Sequence, residues 1–537
     1  MDPQGLPADP SAPPATFHPV VRNIYVRRLG SADAADRFLH ASDPYPEPGD
    51  LANLEAAADR ILAAVARNER IAVFGHDDPD GITSCAILVE TLERLDADVD
   101  PYIPARATEG HGLYPDLIRR FHHRGARLLV TTDGCSSNVE EVELARSLRL
   151  DVIVTDHHEV AAGRAAVPGL VNPKAEKDSP LTDLTGAGVA ALLARQILRR
   201  AWPGDTDGAD KFCCRHLDLV ALGSICDWAD LGRNNRSWVV EGLSRVARGD
   251  RPALSILRRA LEIGPDAVFR VGKASRLGAA FASVPASDGQ SPGLRALLGR
   301  PSWAGDLEDV LKTFLRQEAE LERALAVGRE AAEALGIPAG EPAVMFVTDV
   351  NSRWLGRVAT ALVDSTGRPA AVLTEHRGSV VGELRAPEGV HLVDVLAEMK
   401  ELLASWGGHR VAAGFSADGV RAPEIQRRLR SAFAGLSTPA PAPPAADAEI
   451  RRADVDLAFS RALRAAMPFG KGNPAPIFRV RDFRRGGTAM EFDSRDGVGV
   501  RLFESGFPDR FESYDPLVTF QPRGGGGLTV KFLDWAR

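Results

Sequence analysis

Residues 152–158 read VIVTDHH, a run of β-branched residues followed directly by an acidic residue and two histidines. Such an apolar run is typical of a strand buried on both faces of a parallel sheet. Two earlier stretches have the same form, IAVFGHDDPDG at residues 71–81 and LLVTTDG at residues 128–134. Because parallel strands end at the same edge of a sheet, the sequence predicts that these Asp and His side chains converge there.

Carboxylates and imidazoles gathered at one edge of a sheet indicate a site for divalent metal ions. A single Asp after a strand is more often a helix N-cap or a turn residue. The repetition of Asp and His after three strands favours the metal site over that structural interpretation.

Further motifs occur in a fixed order along the chain. They are DPDGITS at residues 78–84, DG at 133–134, DHH at 156–158 and DLVALGSICD at 218–227. IPAR at 103–106 and EGHGL at 109–113 lie between the first two motifs, and GGH at 407–409 and AAGF at 412–415 lie far downstream. Together the motifs resemble the DHH phosphoesterase superfamily, and within it the RecJ-type single-strand-specific exonucleases, over roughly residues 70 to 420.

The resemblance implies a catalytic centre with two Mn²⁺ or Mg²⁺ ions, which suits hydrolysis of a phosphodiester bond. The ligands that it assigns are Asp78, Asp80, Asp133, His157 and Asp227, with His76 as a candidate additional ligand. Asp133 is expected to bridge the ions, and Asp133, His157 and His158 are the expected catalytic residues. Asp156 is expected to orient His157 from behind the metal ligands.

The resemblance also assigns residues to the substrate phosphates. They are Arg106, His158, Arg385, Gly408 and His409, the last two in a glycine turn that brings the backbone close to the substrate. An ion pair of Arg106 with Glu109 is the structural alternative.

Two departures from the family pattern concern the 5′ end of the substrate. Glu383 stands where the family has a hydroxyl side chain, so a carboxylate would repel a terminal phosphate and could pair with Arg385. The segment around Arg276 keeps basic and small residues but not the family's motif. The selectivity for a 5′ end therefore stays open at the level of sequence.

The order of the elements predicts an α/β protein with a parallel-sheet DHH domain, a long connecting helix, a second α/β DHH-associated domain and a C-terminal OB-like β domain. The expected divisions are a disordered lead-in and helical segment (1–69), the DHH catalytic domain (70–265), a helical connector (266–340), the DHH-associated substrate-binding domain (341–436), a Pro/Ala linker (437–449) and an OB-like nucleic-acid-binding domain (450–537). Phenylalanines of the last segment, such as Phe478 and Phe520, are core residues or base-stacking platforms, with the core favoured.

Composition sets further limits. The 537 residues are 44% hydrophobic and carry a net charge of −8, so several cores are expected and a wholly basic nucleic-acid coat is excluded. The five cysteines are odd in number and form no C-x-x-C pair, which indicates reduced thiols. The sequence has no apolar run long enough to span a membrane and no signal-peptide pattern, so a cytoplasmic protein is predicted.

The leading hypothesis is a metal-dependent exonuclease that degrades single-stranded DNA, in the 5′ to 3′ direction that the resemblance implies, in DNA repair and recombination. The expected partners are single-stranded nucleic acid, with DNA favoured, and a single-strand-binding protein or a helicase. One alternative is a DHH phosphodiesterase for short oligonucleotides or nucleotide phosphates. Another is a RecJ-like nucleic-acid-binding scaffold without catalytic activity.

Overall fold

The computed structural model describes residues 17–42, 45–110, 112–160, 167–336, 341–376, 378–436, 445–451, 454–481, 490–493, 499–502, 516–522 and 528–535. The chain divides into two compact units, residues 1–313 with 444–537 and residues 314–443. The predicted disordered lead-in, up to residue 16, and most of the predicted linker lie outside the described residues. No helix within the described ranges has both the length and the apolar character of a membrane span.

The strands of the described segments are β1 (Arg70–Phe74), β2 (Val99–Tyr102), β3 (Ala126–Thr131), β4 (Asp151–Val154), β5 (Ala343–Phe346), β6 (Ala370–His376), β7 (Ser379–Arg385), β8 (Ser405–His409), β9 (Ala412–Asp418), β10 (Ala448–Arg451), β11 (Ile477–Arg481), β12 (Met490–Asp493), β13 (Gly499–Leu502), β14 (Pro516–Pro522) and β15 (Leu528–Trp535).

The α-helices of these segments are α1 (Pro19–Leu29), α2 (Ala32–His40), α3 (Leu54–Ala66), α4 (Pro79–Glu93), α5 (Arg106–Glu109), α6 (Pro115–His123), α7 (Val139–Ser147), α8 (Gly186–Ala201), α9 (Thr206–Cys213), α10 (Leu217–Cys226), α11 (Asn235–Arg248), α12 (Pro252–Ala260), α13 (Val271–Phe281), α14 (Pro292–Leu297), α15 (Trp303–Ala334), α16 (Leu355–Thr366), α17 (Leu392–Ala397), α18 (Ala422–Ala434) and α19 (Leu457–Ala466).

The first unit contains a parallel sheet in the order β2-β1-β3-β4. The three apolar runs predicted as strands form β1, β3 and β4, so the predicted parallel α/β sheet is confirmed. On one face of β1, Ala72 and Phe74 pack with Leu117 and Phe121 of α6. All three strands end at the same edge, which brings the polar residues that follow them together.

Helix α10 is the other element that positions the site. Its residues from Leu217 to Ile225 are all buried, as expected for a helix without a polar face. The helix packs against α4, α8 and α11, and it ends directly before Asp227. A buried helix of this kind holds the residue that follows it, Asp227, in a fixed position.

The second unit contains a mixed sheet in the order β5-β6-β7-β9-β8. Successive residues of β6 face opposite cores, since Ala371 and Leu373 pack with α17 and α18, whereas Ala370 and Val372 pack with α16. The long connecting helix predicted from residue 306 to 335 is α15, which begins at Trp303 and ends at Ala334.

The GGH segment differs from its prediction as a turn. Gly407, Gly408 and His409 belong to strand β8, which pairs with β9, and the turn between these strands is formed by Arg410 and Val411. In this strand Gly407 pairs with Gly414 and Gly408 pairs with Ala413. Small residues of this kind are also typical of turns, which is why the sequence suggested one.

The C-terminal strands form a sheet in the order β10-β11-β14-β15, and β12 pairs with β13. Phe459, Phe478 and Phe520 meet edge to face with ring centroids 5.3–5.5 Å apart, so Phe478 and Phe520 are core residues, as favoured from the sequence. The same core includes Val21 and Ile24 of α1. The segments predicted as separate divisions, 1–69 and 450–537, therefore share a hydrophobic core.

Candidate metal and active site

The loop after β1 supplies two carboxylates. Asp78 caps α4 by accepting a hydrogen bond of 2.9 Å from the Gly81 amide, and its other oxygen lies 3.0 Å from His76 Nδ1. Asp80, in the first turn of α4, is buried and accepts hydrogen bonds from the backbone amides of Gly186 (2.7 Å) and Ala187 (3.0 Å). The N-terminus of α8 thus fixes the Asp80 carboxylate with two donors.

Asp133 follows β3 and is buried at the centre of the site. Its φ of 60° is in the left-handed region, which Asp tolerates better than most residues. Neither of its carboxylate oxygens has a hydrogen-bond partner among the described residues. Gly186 is the first residue of α8, and a Cβ there would lie 2.6 Å from the Asp133 Cβ. Only glycine at this position leaves room for the Asp133 side chain.

The DHH segment follows β4. His157 is buried, and its Nε2 lies 3.1 Å from Asp133 Oδ1 without hydrogen-bond geometry, 3.7 Å from Asp80 Oδ2 and 3.8 Å from Asp227 Oδ2. The ring therefore points into the group of carboxylates, at the position of a metal ligand rather than of a core histidine.

Asp156 supports its neighbours differently from the prediction. Its side chain accepts hydrogen bonds from His158 Nδ1 (2.8 Å), from the Ser136 hydroxyl (2.6 Å) and from the backbone amides of His157 (2.7 Å) and His158 (3.0 Å). The imidazole that it orients is thus that of His158, whereas it holds only the backbone of His157. The reason is geometric, because the His157 ring turns towards Asp133.

Three groups of side chains have donor atoms within 4.8 Å of one another. They are Asp133 with His157 and His158, Asp133 with His76 and Asp78, and Asp80 with His157 and Asp227. The structure thus brings all six predicted ligand positions to one edge of the sheet. Asp133 and His157 each belong to two of the groups, and of the two side chains only the carboxylate has two oxygens with which to bridge a pair of ions.

The charges of the site also fit cations. Burial and the negative charge of Asp227 raise the pKa of Asp80 to about 8, and burial with the charge of Asp80 raises the pKa of Asp133 well above its usual range. Burial and the charge of Asp78 raise the pKa of Asp227. Carboxyl groups crowded in this way, with unpaired oxygens, are satisfied when divalent ions bind between them.

Asp78 and the two histidines differ in their protonation. Burial opposes ionisation of Asp78, but the His76 side chain outweighs it and lowers the pKa of Asp78 to about 2. Burial and the charge of His158 lower the pKa of His157 to about 4, so this ring is neutral and able to bind a metal ion. The hydrogen bond to Asp156 raises the pKa of His158, which is half exposed and suited to contact an anion.

Other predicted substrate contacts lie in the second unit. Arg385 Nη1 donates a hydrogen bond of 2.8 Å to Glu383 Oε2, so the predicted pairing of these residues is confirmed. His409 ends β8 and is exposed, and Gly408 has a φ of 140°. Their contacts with substrate remain predictions.

Arg106 begins α5, and its side chain lies outside the described residues. Glu109, its structural alternative partner, accepts hydrogen bonds from the hydroxyl groups of Tyr102 and Tyr114 and from the Ala105 amide. The carboxylate of Glu109 thus already has three donors within the first unit.

Several residues of the site were missed by sequence reasoning. Gly186 and Ala187 hold Asp80, and Ser136 holds Asp156. The small residues of TGAG at 185–188, at the start of a helix, are a signal that could have indicated a close approach to a buried carboxylate. Lys174, Trp228 and Lys471 line the adjoining pocket. No motif in the sequence indicates Lys174 or Trp228, and the sequence assigns Lys471, in PFGKGNP at 468–474, to the OB-like domain rather than to the metal site.

Comparison with known proteins agrees with this geometry. Residues 70–224 match the model of the DHH family N-terminal domain, and residues 341–435 match the DHHA1 domain. The single-stranded-DNA-specific exonuclease RecJ of Bacillus subtilis is 30% identical over 470 residues, which cover 85% of this chain and 58% of that protein. The chain is thus similar to the DHH family in two domains and to the RecJ exonucleases over most of its own length.

Two further relatives extend the comparison of the RecJ-like chain. The exonuclease of the same name from Escherichia coli is 28% identical over 492 residues, covering 87% of this chain and 84% of that protein. The crystal structure of RecJ in complex with Mn²⁺ from Thermus thermophilus is similar with a TM-score of 0.71 at 26% identity, over 96% of this chain and 78% of that one.

Proposed function

We propose that this protein is a metal-dependent exonuclease that hydrolyses phosphodiester bonds of single-stranded DNA from the 5′ end. The observation that carries the proposal is the buried Asp133 carboxylate, whose oxygens lack hydrogen-bond partners in the described structure, beside the Nε2 of His157. Buried polar atoms without partners are costly, and a cation between them removes that cost. The RecJ relatives are named single-stranded-DNA-specific exonucleases.

The proposed ligands for two Mn²⁺ or Mg²⁺ ions are Asp78, Asp80, Asp133, His157 and Asp227, with His76 as an additional candidate. Carboxylates suit both ions, and the imidazole of His157 shifts the preference towards Mn²⁺. Ions bound there would activate water and neutralise negative charge on the phosphoryl oxygens.

The protein's own groups prepare this chemistry. The α8 amides and the Asp78 N-cap fix two carboxylates before any ion binds, so little reorganisation is needed. Asp156 holds the His158 ring at the rim of the site and favours its protonated form. A protonated His158 can donate a hydrogen bond to a phosphate oxygen of the substrate.

The proposed setting is DNA repair and recombination in the cytoplasm. Since duplex DNA offers no free single strand, we include a helicase or a single-strand-binding protein as the partner that would expose or hold the substrate. In the second unit, Arg385, Gly408 and His409 are the proposed contacts to substrate phosphates, and Arg106 is a further proposed contact.

Product analysis tests this function. Single strands of about 30 nucleotides, labelled at either the 5′ or the 3′ end, are incubated with the full-length protein and Mn²⁺, or with a chelator. We expect the 5′ label to be released first as a short product and the 3′-labelled strand to shorten progressively, with no reaction in chelator.

Three results would contradict the proposal. Activity that survives the chelator would refute metal dependence, and a 3′ label released first would refute the polarity. Cleavage confined to strands of a few nucleotides would instead support a phosphodiesterase for short oligonucleotides.

A further inference from the structure

A pocket of about 230 Å³ adjoins the proposed metal site in the first unit. His157 and Asp227 form one part of its wall, and Lys174, Trp228 and Lys471 form another. The metal chemistry described above uses the first pair and leaves the other three residues without a role. Their side chains combine one large aromatic ring with two positive charges.

Trp228 is in a position that does not favour tryptophan. It follows the end of α10 with a φ of 56°, and the Ala229 amide donates a hydrogen bond of 3.0 Å back to Ser224. Glycine is usual at such a left-handed helix terminus, and a bulky residue there is strained. Trp228 is also 67% exposed, so burial of its apolar ring within the protein does not offset the free-energy cost of that strain.

The two lysines of the pocket are positively charged. Lys174 lies in the turn that follows Asn172, whose side chain accepts a hydrogen bond of 2.8 Å from the Lys174 amide. Within the part of the chain that the structure describes, neither Lys174 nor Lys471 forms an ion pair within 4.0 Å. Both lysines line the same pocket as His157 and Asp227, so they lie beside the proposed metal site.

Lys471 is held in place by a tight turn. Gly470 and Asn473 exchange backbone hydrogen bonds of 2.9 and 3.1 Å, and the Lys471 carbonyl accepts one of 2.8 Å from the Leu231 amide. A Cβ on Gly232 would lie 2.4 Å from the Gly472 carbonyl oxygen, so this turn packs directly on the segment after Trp228. The C-terminal segment thus contributes a lysine to the pocket from a backbone that is held in place.

We propose that Trp228, Lys174 and Lys471 form a nucleotide-binding subsite, in which Trp228 stacks on one base of the strand and the lysines bind an adjacent backbone phosphate. The inference rests on the proposed function and specifies where the strand lies beside the metal site. An exposed indole gives a base an apolar platform without selecting its identity. Lysine supplies a point charge that a phosphate can approach from several directions.

A series of strands with one abasic nucleotide tests the stacking. The abasic residue is placed at each of the first three positions from the degraded end, and kcat/KM is measured for the wild type, Trp228→Ala and Trp228→Phe. Loss of one stacked base should lower kcat/KM of the wild type about 5- to 100-fold at one position. Trp228→Ala should be slowed by a similar factor on the intact strand and show no further loss at that position.

Two controls make this test specific: the Trp228→Phe variant, and the comparison of wild type with Trp228→Ala on both intact and abasic strands. Trp228→Phe should recover most of the activity, since phenylalanine keeps an aromatic face. If Trp228→Ala loses as much as the wild type when the base is removed, the two effects are independent and the stacking is refuted. If no protein cleaves any strand, the proposed exonuclease function fails instead.

The lysines are tested through the salt dependence of kcat/KM. Each single-strand phosphate contact contributes a slope of about −0.7 to the plot of log kcat/KM against log salt. We expect Lys174→Ala and Lys471→Ala each to reduce the slope by about this amount, and Lys211→Ala, an exposed lysine of α9, to leave it unchanged. Equal slopes for wild type, Lys174→Ala and Lys471→Ala would refute the phosphate contact.

Discussion

Asp133 in the first unit and Arg385 in the second are both predicted to act in catalysis or substrate binding, but their hydrogen bonding within the protein differs. Asp133 is buried, and its oxygens have no hydrogen-bond partner among the residues described. Arg385 is paired with Glu383 and is partly exposed. The first site therefore gains from binding a cation, whereas at the second the carboxylate of Glu383 competes with an anion for Arg385.

The largest effect is expected at Asp133. Asp133→Asn keeps the shape and suits the left-handed backbone, but it removes the charge that would bridge two ions. Since loss of a residue that merely supports a metal ligand costs about 10- to 100-fold, we expect at least a ~1,000-fold loss of kcat at saturating Mn²⁺. The measurement is the rate of hydrolysis of a labelled single strand.

A matched control is Asp100→Asn. Asp100 lies in β2 and pairs with Arg124, which precedes β3 at the opposite edge of the sheet. This variant should keep near-normal activity. Near-normal activity of Asp133→Asn would remove Asp133 as an essential ligand and with it the contrast between the two sites.

A smaller effect is expected from Glu383→Ser. Releasing Arg385 from its ion pair and removing the nearby negative charge should raise the rate on 5′-phosphorylated strands relative to 5′-hydroxyl strands. A charge-assisted hydrogen bond is worth about 1.5–3 kcal/mol, so the ratio should rise about 10- to 100-fold. Glu375→Ser, which removes an exposed carboxylate from the neighbouring strand β6, is the control and should not change the ratio.

The glycines of β8 separate a role in binding from a role in folding. A Cβ on Gly407 would meet nothing within 4 Å, whereas a Cβ on Gly408 would lie 2.4 Å from the Ala412 carbonyl oxygen. If substrate approaches this backbone, Gly407→Ala should lower kcat/KM about 3- to 10-fold with an unchanged Tm. Gly408→Ala should lower the Tm. An unchanged kcat/KM in Gly407→Ala would place the substrate elsewhere.

The pH dependence of stability gives the smallest effect. In the metal-free protein the pKa of Asp80 is raised to about 8 and that of Asp133 is also raised, so the folded state holds protons that the unfolded state has released. Stability from such groups is present at low pH and is lost as the pH rises through the folded pKa. Between pH 6.5 and 8, where His157 with its pKa of about 4 stays neutral when folded, the Tm should fall by a few degrees.

Saturating Mn²⁺ should reverse this trend, because metal binding displaces those protons and strengthens with pH. Calorimetric Tm values at the two pH values, with and without the ion, provide the measurement. A metal-free protein whose Tm rises over this range would contradict the raised pKa values of the buried carboxyl groups.

The sequence could predict features that depend on local patterns, but not contacts between segments that are far apart in the chain. Strand ends are marked by local patterns, so the places of Asp133 and His157 and the sheet itself followed from the residues. Contacts between distant segments leave no such pattern. The hydroxyl of Tyr25 donates a hydrogen bond of 2.9 Å to Asn473, which lies 448 residues later, and neither residue signals the other.

The same limit explains the corrections. Asp156 bonds to the ring of His158 rather than to that of His157, because the His157 ring points towards Asp133. The orientation of the His157 ring is set by tertiary contacts that the sequence does not show. The shared core of α1 with the C-terminal strands likewise depends on tertiary packing. A deletion of residues 450–537 would expose that core, so point variants such as Lys471→Ala test the segment more cleanly.

The most direct test of the central claim is the location of bound Mn²⁺ by anomalous diffraction from crystals of the full-length protein, with Asp133→Asn as the comparison. We expect two anomalous peaks about 3.5–4 Å apart, both adjacent to the Asp133 carboxylate, in the wild type. At least one peak should be lost in Asp133→Asn. Peaks absent from the group formed by Asp80, Asp133, His157 and Asp227, or unchanged in the variant, would contradict the proposed two-metal site.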